Sequence, residues 1–353
     1  MSLIGSIGSL GSIGSVGCSP GAADSLSGAA PGRQSCEPDR AGDVDHAGAV
    51  DRPHALKDPA QRLLRLRTLL EPTGSLDPDV TTTHSSITPA GFEEDTLQYR
   101  VGDGQTARAL VLRPLTPGPH PAVLLIHGHD GRAEELTRMR ETYHRALGVH
   151  LADAGFIVLA PDVRSFGEFR IEGQGHNQYA RSVRAAGDVY ARLAINDVRA
   201  AFHVLQRHVD GVDPDRIGIA GLSLGGFLAL VTAAAEPDIR AVVVSGIFLD
   251  WDVYFSAQHH FCQHFVALRA LGSSVALAAD VLPRPLQIHW GERDPFAGRG
   301  GGLKNTEALV ELAARRGLSG LEVVVSKGSG HAFDPDAQVE FFQRHLEDAM
   351  TCP

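Results

Sequence analysis

Ser223 stands in a sequence context that is typical of a catalytic nucleophile. It is the central residue of Gly-Leu-Ser-Leu-Gly at residues 221–225. Residues 216–220 read as a short buried strand before this pentapeptide, and residues 226–235 read as an apolar helix after it. A strand, a G-x-S-x-G turn and a helix predict a nucleophile elbow, in which a tight turn lifts the serine hydroxyl clear of the sheet. The helix N-terminus behind the serine favours the negative charge that develops during attack.

The pentapeptide alone is weak evidence, because the chain has 39 glycines and contains a second match. Residues 17–21 read Gly-Cys-Ser-Pro-Gly, with Ser19 at the centre. No strand pattern precedes Ser19, and the surrounding tract is rich in glycine and serine, so we interpret it as a chance match. The flanking strand and helix distinguish Ser223 from an ordinary turn serine.

A serine hydroxyl needs a base to remove its proton, and His331 is the candidate for that base. It follows the last predicted strand, residues 321–326, and the small residues before it let its loop bend towards Ser223. Asp294 follows the penultimate predicted strand, residues 285–290, and could orient the imidazole and stabilise its charged form. The chain order serine, aspartate, histidine is one of the known arrangements of such a triad.

Other residues compete for the roles of acid and base. The rival carboxylates lie on the same loop as Asp294 or after the preceding strand, and they are Glu292, Asp250 and Asp252. Asp334 and Asp336 are better explained as residues that start the final helix. The chain contains 17 histidines, so a solvated loop histidine is the alternative interpretation of His331.

Attack on a carbonyl carbon creates an oxyanion, which backbone amides must stabilise. The amide of Leu224, directly after Ser223, is one predicted donor. The second is predicted in the loop after an early strand, His-Gly-His-Asp-Gly at residues 127–131, with His129 as the donor. His127 and His129 could instead form an i, i+2 metal pair. No third ligand is evident in the sequence, so we expect no metal there.

Together these motifs resemble the α/β-hydrolase superfamily, and most closely its dienelactone hydrolase and acetyl xylan esterase-like branch. The resemblance covers about residues 88–350. It rests on residues 127–131, 162–167, 221–225, 291–295 and 330–331, which correspond to the oxyanion loop, a structural loop after a strand, the nucleophile, the acid and the base. It implies the α/β-hydrolase fold, with a mainly parallel central sheet of about eight strands and helices on both faces. Dienelactone hydrolases proper have a cysteine as the nucleophile. Because this chain has Ser223 at that position, the resemblance implies an esterase-like activity.

Two segments outside the predicted sheet are expected to shape the substrate pocket. The first begins at Arg164, which could bind a substrate carboxylate or form a structural salt bridge. The second, residues 246–282, is rich in aromatic side chains and is predicted to form a lid, with Phe248, Trp251 and Tyr254 as pocket residues.

The second segment also contains four residues that invite a metal interpretation: His259, His260, Cys262 and His264. Two adjacent histidines cannot point the same way on a helix, and serine chemistry needs no metal. We therefore expect these residues to line the core or the pocket. No cofactor and no metal is predicted for the chain.

Composition narrows the class of protein. Hydrophobic residues make up 43% of 353 residues, which is enough for a sizeable core. The net charge of −10 and the scattered basic residues argue against a nucleic-acid partner. Four dispersed cysteines, no bilayer-length apolar run and no charged start to a signal peptide favour a cytoplasmic location, with a lipoprotein-like Val-Gly-Cys at residues 16–18 as the alternative. A small-molecule acyl substrate is the expected partner, and homo-oligomerisation stays open.

The predicted organisation has three parts. Residues 1–54 are rich in glycine, serine and proline and are predicted to form a disordered tail. Residues 55–87 are predicted to form a helix and a linker. In residues 88–353 buried strand patterns alternate with helix patterns, which predicts a catalytic domain with a mainly parallel sheet covered on both faces.

The expected activity is hydrolysis of an ester, lactone or thioester through an acyl-enzyme on Ser223. An acyltransferase or other non-hydrolytic enzyme on the same scaffold is the alternative. A peptidase is less favoured, because the chain has no room for the β-propeller of an oligopeptidase, and the complete triad makes a non-catalytic binding protein less favoured still.

Overall fold

The fold is built on one mixed β-sheet. The computed structural model describes residues 56–138, 141–256, 260–298 and 300–347, so the predicted tail of residues 1–54 lies outside the described residues. The strands are β1 (Val80–Ile87), β2 (Glu93–Arg100), β3 (Thr106–Arg113), β4 (His120–Ile126), β5 (Ile157–Pro161), β6 (Val212–Leu222), β7 (Ala241–Ser245), β8 (Leu286–Gly291) and β9 (Leu321–Ser326). In the described part of the chain they form one nine-stranded sheet in the order β1-β2-β3-β5-β4-β6-β7-β8-β9.

Helices connect most of the later strands. They are α1 (Pro59–Leu69), α2 (Ala133–Thr137), α3 (Leu147–Asp153), α4 (His176–Ala185), α5 (Tyr190–His208), α6 (Leu224–Ala235), α7 (Trp251–Tyr254), α8 (Ser274–Val281), α9 (Gly302–Arg316) and α10 (Pro335–Phe342). Short 3₁₀ turns lie at Phe261–Gln263 and Val266–Leu271, and a π turn, Gln343–Glu347, follows α10.

The parallel half of the sheet brings the ends of its strands to one edge. β5, β4, β6, β7, β8 and β9 pair in parallel in that spatial order, whereas β1, β2, β3 and β5 pair in antiparallel fashion. Leu222 at the end of β6 pairs with Ser245 at the end of β7, and Ser245 pairs with His289 near the end of β8. The loops that carry the predicted site residues therefore emerge side by side, where ligands bind in open α/β sheets.

The core lies on both faces of the sheet, because successive side chains of a strand point to opposite faces. In β4, Leu124 and Ile126 belong to a cluster of buried apolar side chains that includes α5 and α6. Val123 and Leu125 belong to a second cluster that includes α3 and α10. All four side chains are fully buried, as expected for a central strand between two helical layers, so the mainly parallel, doubly covered sheet is as predicted.

The sheet begins earlier than the sequence indicates. β1 lies in residues 80–87, which the sequence assigns to a linker, and it raises the strand number from about eight to nine. Seven of its eight residues are exposed, and it pairs only with β2 in the described part of the chain. An edge strand with polar side chains on both faces has no apolar alternation, so the sequence pattern could not reveal it.

The segment between β4 and β5 contains two separate helices. α2 and α3 are separated by a segment in which Arg145 and Ala146 have φ angles of 51° and 46°. Backbone in this left-handed region cannot continue a right-handed helix. The interruption brings Tyr143 and His144 towards the loop that follows β4.

Candidate active site

Ser223 lies between the last residue of β6 and the first residue of α6, with φ 57° and ψ −121°. Glycines permit this turn. A Cβ atom on Gly221 would lie 2.1 Å from the Gly225 carbonyl oxygen, and a Cβ atom on Gly225 would lie 2.3 Å from the Ile126 carbonyl oxygen. The Ser223 amide donates to the Ser245 carbonyl oxygen at 2.9 Å, which ties the turn to β7. The strand, tight turn and helix predicted around Ser223 are thus present, and the serine has a strained backbone.

Asp294 and His331 are brought together from separate loops. The imidazole Nδ1 lies 2.7 Å from the Asp294 Oδ2 atom, although the two residues are 37 positions apart. The Asp294 side chain is fully buried, and its Oδ1 atom accepts the Phe296 amide at 2.9 Å. With Nδ1–H donating to the carboxylate, the His331 Nε2 atom is left as the proton acceptor. His331 is 23% exposed, so its ring can reach a substrate.

The rival carboxylates have other partners. Glu292 accepts the Gly328 amide at 2.8 Å. Asp250 caps the short helix α7 by accepting the Asp252 amide, and Asp252 forms an ion pair with Arg269. The geometry therefore pairs His331 with Asp294 and with none of these three. Asp334 caps α10 by accepting the Ala337 amide, as the sequence suggests.

The end of β7 places the imidazole of His331 beside the elbow. A Cβ atom on Gly246 would lie 2.8 Å from His331 Cε1, so the ring rests against the Gly246 backbone. The preceding residue, Ser245, holds the Ser223 amide. Two aromatic rings flank the imidazole, with centroid distances of 6.1 Å to Tyr143 and 5.3 Å to Phe296. Sequence reasoning missed Tyr143 and Gly246, because neither belongs to a motif.

The loop after β4 is held by two buried histidines. The His127 Nε2 atom accepts the Val163 amide at 2.9 Å, and its Nδ1 atom donates to the Gly128 carbonyl oxygen at 2.7 Å. The His144 Nε2 atom accepts the Gly128 amide at 2.8 Å, and its Nδ1 atom donates to the Glu135 carboxylate at 2.9 Å. Burial lowers the pKa of His127 to about 4 and also lowers the pKa of His144, so both rings stay neutral. His127 is thereby a structural residue of the loop.

The two amides expected to bind an oxyanion donate to no backbone carbonyl of the described residues. Neither the His129 N–H nor the Leu224 N–H has such an acceptor in residues 56–138, 141–256, 260–298 and 300–347. The Tyr143 hydroxyl donates to the His129 carbonyl oxygen at 2.7 Å and fixes the orientation of that peptide. A Cβ atom on Gly128 would lie 2.7 Å from the Tyr143 hydroxyl and 3.1 Å from the Leu222 carbonyl oxygen, so the loop packs directly over the end of β6.

Arg164 does not lie where it could bind a substrate carboxylate, which corrects its assignment to the pocket. Its side chain is 1% exposed, and its guanidinium forms ion pairs with Asp197 at 2.6 Å and Asp103 at 2.5 Å. The guanidinium also donates to the Tyr179 hydroxyl, with 2.9 Å between Nη1 and the oxygen. Burial raises the pKa of Asp197 to about 6, although the Arg164 guanidinium acts in the opposite direction. The structural salt bridge is the role that this geometry supports.

The neighbouring Asp162 supports its loop as the sequence suggests. Its Oδ1 atom accepts the Ala133 amide at 2.9 Å, and its Oδ2 atom accepts the Glu168 amide at 3.0 Å. Arg108 lies 3.2 Å from the same carboxylate. These contacts fix the loop after β5 against α2 and β3.

The aromatic residues of the predicted lid are part of the core. Phe248, Trp251 and Tyr254 are at most 1% exposed and belong to the same apolar cluster as α6. Phe227 of α6 packs on Tyr254 with a centroid distance of 5.1 Å. Their expected role as an open pocket lining is therefore corrected to core packing, because the helix after the nucleophile buries them.

A second group of aromatic side chains surrounds the ring of His129. The centroid of the His129 ring lies 5.1 Å from that of Phe166, 4.8 Å from that of His176 and 4.2 Å from that of His260. His176 and Phe166 also line a cavity of about 1240 Å³. Its lining comes from residues 130–138 and 165–176 and does not include the three predicted triad residues.

A family model describes most of the chain. The dienelactone hydrolase family model matches residues 107–349 of 353. YtaP of Bacillus subtilis, described as a hydrolase, is 29% identical over 265 residues, which cover 71% of this chain and 88% of that protein. A Bradyrhizobium protein described as a 2-oxo-3-(5-oxofuran-2-ylidene)propanoate lactonase is 27% identical over 237 residues, or 65% of this chain and 80% of its own.

Solved structures share the fold. Acetyl xylan esterase 1 from Thermoanaerobacterium superposes with a TM-score of 0.57 and 21% identity, covering 82% of this chain and 94% of the esterase. No helix in the described ranges has the length and apolar character required to cross a membrane. The expected α/β-hydrolase fold is confirmed by these matches and by the nine-stranded, mainly parallel sheet. The chain belongs to the dienelactone hydrolase family, and it is a carboxylic-ester hydrolase.

Proposed function

We propose that the protein hydrolyses a small-molecule ester, lactone or thioester through a covalent acyl-enzyme on Ser223. The observation that carries the proposal is the 2.7 Å contact between His331 Nδ1 and the buried carboxylate of Asp294, next to the strained turn of Ser223. An imidazole oriented by a carboxylate rests on Gly246, and the neighbouring Ser245 binds the amide of the serine at the start of a helix, which supports His331 as the base for Ser223. Such a base is what an alcohol nucleophile requires at neutral pH.

In the acylation step, the Ser223 hydroxyl attacks the acyl carbon and His331 Nε2 takes its proton. Asp294 accepts the hydrogen bond from Nδ1–H and stabilises the imidazolium that forms. The carbonyl oxygen gains negative charge, which the amides of His129 and Leu224 stabilise. His331 then donates its proton to the leaving alkoxide or thiolate, and the acyl group stays on Ser223.

In the second step, water attacks the acyl-enzyme while His331 acts again as the base. The proton passes to Ser223 as the acid product leaves, so the starting state is restored. Apart from the substrate and water, every reacting group in the proposed mechanism belongs to the chain, and the mechanism uses no cofactor.

The substrate class is supported by the relatives and by the surroundings of the base. The family name and the Bradyrhizobium lactonase point to esters in rings as well as open-chain esters. The rings of Tyr143 and Phe296 lie near His331 and provide apolar surface for the acyl or leaving group. We therefore favour compact, weakly polar esters and lactones.

A fluorophosphonate probe tests the nucleophile directly. We expect labelling of the wild-type protein at Ser223 and of the Ser19→Ala variant to the same extent, because Ser19 is the matched G-x-S-x-G serine without an elbow. We expect no labelling of Ser223→Ala, and loss of nearly all turnover of p-nitrophenyl acetate. Equal turnover in Ser223→Ala, with a wild-type circular dichroism spectrum, would require another nucleophile. Product analysis with added alcohol acceptors separates hydrolysis from acyl transfer.

A further inference from the structure

Three residues with metal-binding side chains meet beside the oxyanion loop, although they come from distant parts of the sequence. His129 follows β4, His176 is the first residue of α4, and Cys262 lies in a 3₁₀ turn. One ligand atom from each lies within 4.8 Å of the others. Cys262 is 1% exposed and forms no disulfide.

The two imidazoles share one feature: the Nε2 side of each ring makes no hydrogen bond in the described part of the protein. The Nε2 atoms of His129 and His176 are both buried and have no hydrogen-bond partner in the described part of the protein. A buried polar atom without a partner has lost its hydrogen bonds to water and gained none in return, so two such atoms close together need an explanation. A positively charged ligand between them would accept both lone pairs.

The opposite edges of both rings are already oriented. The His176 Nδ1 atom lies 2.7 Å from the Ser165 hydroxyl, and the His129 Nδ1 atom lies 3.2 Å from the Asp130 carboxylate. When Nδ1 carries the hydrogen, Nε2 is the lone-pair donor. A carboxylate or hydroxyl behind a histidine is the usual outer support of a metal ligand.

We propose that His129, His176 and Cys262 bind a transition-metal ion with the preferences of Zn²⁺. Two imidazole nitrogens and one thiolate are ligands that suit this ion, at about 2.0–2.1 Å for nitrogen and 2.3 Å for sulfur. These bond lengths require the three ligand atoms to approach one another to about 3.5 Å, a contraction of roughly 1 Å from the present arrangement. The Cys262 thiol releases its proton to solvent as it binds.

The site is separate from the proposed triad but touches the same loop. None of Ser223, Asp294 and His331 is among its ligands. The side chain of His129 faces the metal, while its amide is the proposed oxyanion donor. A bound ion would therefore fix the position of that amide, which makes it a positioning element and not the source of the nucleophile.

The sequence pattern did not indicate this group of three residues. The sequence suggests His127 with His129 as one candidate pair and, separately, a set made of His259, His260, Cys262 and His264. In the structure both ring nitrogens of His127 bind backbone groups. The residues that meet His129 are His176 and Cys262, from two segments that no sequence pattern connects with it.

Titration of the full-length protein with Co²⁺ provides the test, because a thiolate bound to Co²⁺ gives an intense charge-transfer absorption in the near ultraviolet. We expect one equivalent of Co²⁺ to produce this band and Zn²⁺ to displace it. Zn²⁺ should also raise the melting temperature of the wild-type protein, since it binds only the folded state. The band should be lost in Cys262→Ser and in His176→Gln.

Matched controls come from residues of the same type. Cys352→Ser and His84→Gln should keep the band. Asp130→Asn provides a variant that leaves all three ligands in place, and its side chain is 77% exposed, so folding should not change. We expect it to weaken Zn²⁺ binding by about 10–100-fold. Absence of the band in the wild-type protein, or its persistence in Cys262→Ser, would overturn the proposal, and neither result bears on labelling of Ser223.

Discussion

The Gly246 backbone supports the imidazole of His331 so closely that a methyl group on its Cα would lie 2.8 Å from Cε1 and 2.9 Å from Nδ1. Gly246 is itself fixed, because its amide donates to the His289 carbonyl oxygen at 2.9 Å. The preceding Ser245 binds the Ser223 amide. The end of β7 thus sets the position of the proposed base and the proposed nucleophile together.

We expect Gly246→Ala to lower kcat/KM for p-nitrophenyl acetate by about 100-fold, because the added methyl group pushes the imidazole away from Ser223 by a distance on the order of 1 Å. Gly246 has φ 67°, so alanine is also strained there. Gly104→Ala is the matched control, since Gly104 has φ 82° and nothing within 4 Å of its added Cβ atom. Equal kcat/KM in the two folded variants would show that the contact with His331 has no part in turnover.

The role of the buried acid is tested by Asp294→Asn. An amide of the same shape cannot stabilise the imidazolium and favours the wrong tautomer, so we expect kcat to fall by about 10⁴-fold. Glu292→Gln changes the rival carboxylate two positions away, which binds only the Gly328 amide in the described structure, and should leave kcat near the wild-type value. Steady-state kinetics of the two variants measure kcat. A large fall in Glu292→Gln with a near wild-type value in Asp294→Asn would make Glu292 the acid.

Arg164→Ala tests the corrected assignment of that residue. Its removal leaves Asp197 and Asp103 without their buried partner, and we expect the free energy of unfolding at pH 8 to fall by about 3–5 kcal/mol. The loss should be smaller at pH 5, because Asp197 can then take up a proton. Urea denaturation at both pH values measures the effect. An unchanged unfolding free energy with a raised KM for carboxylate-bearing esters would restore the pocket role.

A buried histidine predicts how stability changes with pH. His289 lies between the hydroxyls of Ser245 at 2.6 Å and Ser326 at 2.9 Å, and burial lowers its pKa from 6.5 to about 4 despite the nearby Asp334 carboxylate. Between pH 6.5 and about 4 the unfolded chain binds the proton and the folded chain does not. Acidification through this window should therefore reduce the free energy of unfolding, by on the order of 3 kcal/mol for this residue.

The measurement is urea denaturation at a series of pH values. The variant His289→Gln should show a smaller slope in this window than the wild-type protein. His84→Gln, with an exposed side chain, should keep the wild-type slope. The same slope in all three proteins would mean that His289 is charged in the folded state at acid pH.

The sequence predicted those features that depend on neighbours along the chain. Ser223 is identified by the strand and helix that flank it, and Asp294 and His331 by their places after consecutive parallel strands. β4 is apolar and buried from residue 121 to residue 126, and β6 from residue 217 to residue 222, so the local sequence pattern indicates both strands.

The sequence could not predict features that depend on contacts between distant parts of the chain. Arg164 meets carboxylates 61 and 33 positions away, and no pattern connects them. The buried faces of Phe248 and Trp251 depend on how α6 packs, which the aromatic content of the segment does not reveal. The ring of His127 and the ring of His129 have different partners although they belong to one short motif.

The backbone of Ser223 has a consequence for how this position tolerates change. With φ 57° and ψ −121°, any residue that has a Cβ atom is strained there, at a cost on the order of 1–3 kcal/mol, whereas glycine is not. We therefore expect Ser223→Gly to unfold at a higher temperature than Ser223→Ala, the reverse of the usual order beside a helix. Selection for stability and selection for the proposed nucleophile act in opposite directions on this one residue, so a relative that lost the activity would be free to replace the serine with glycine.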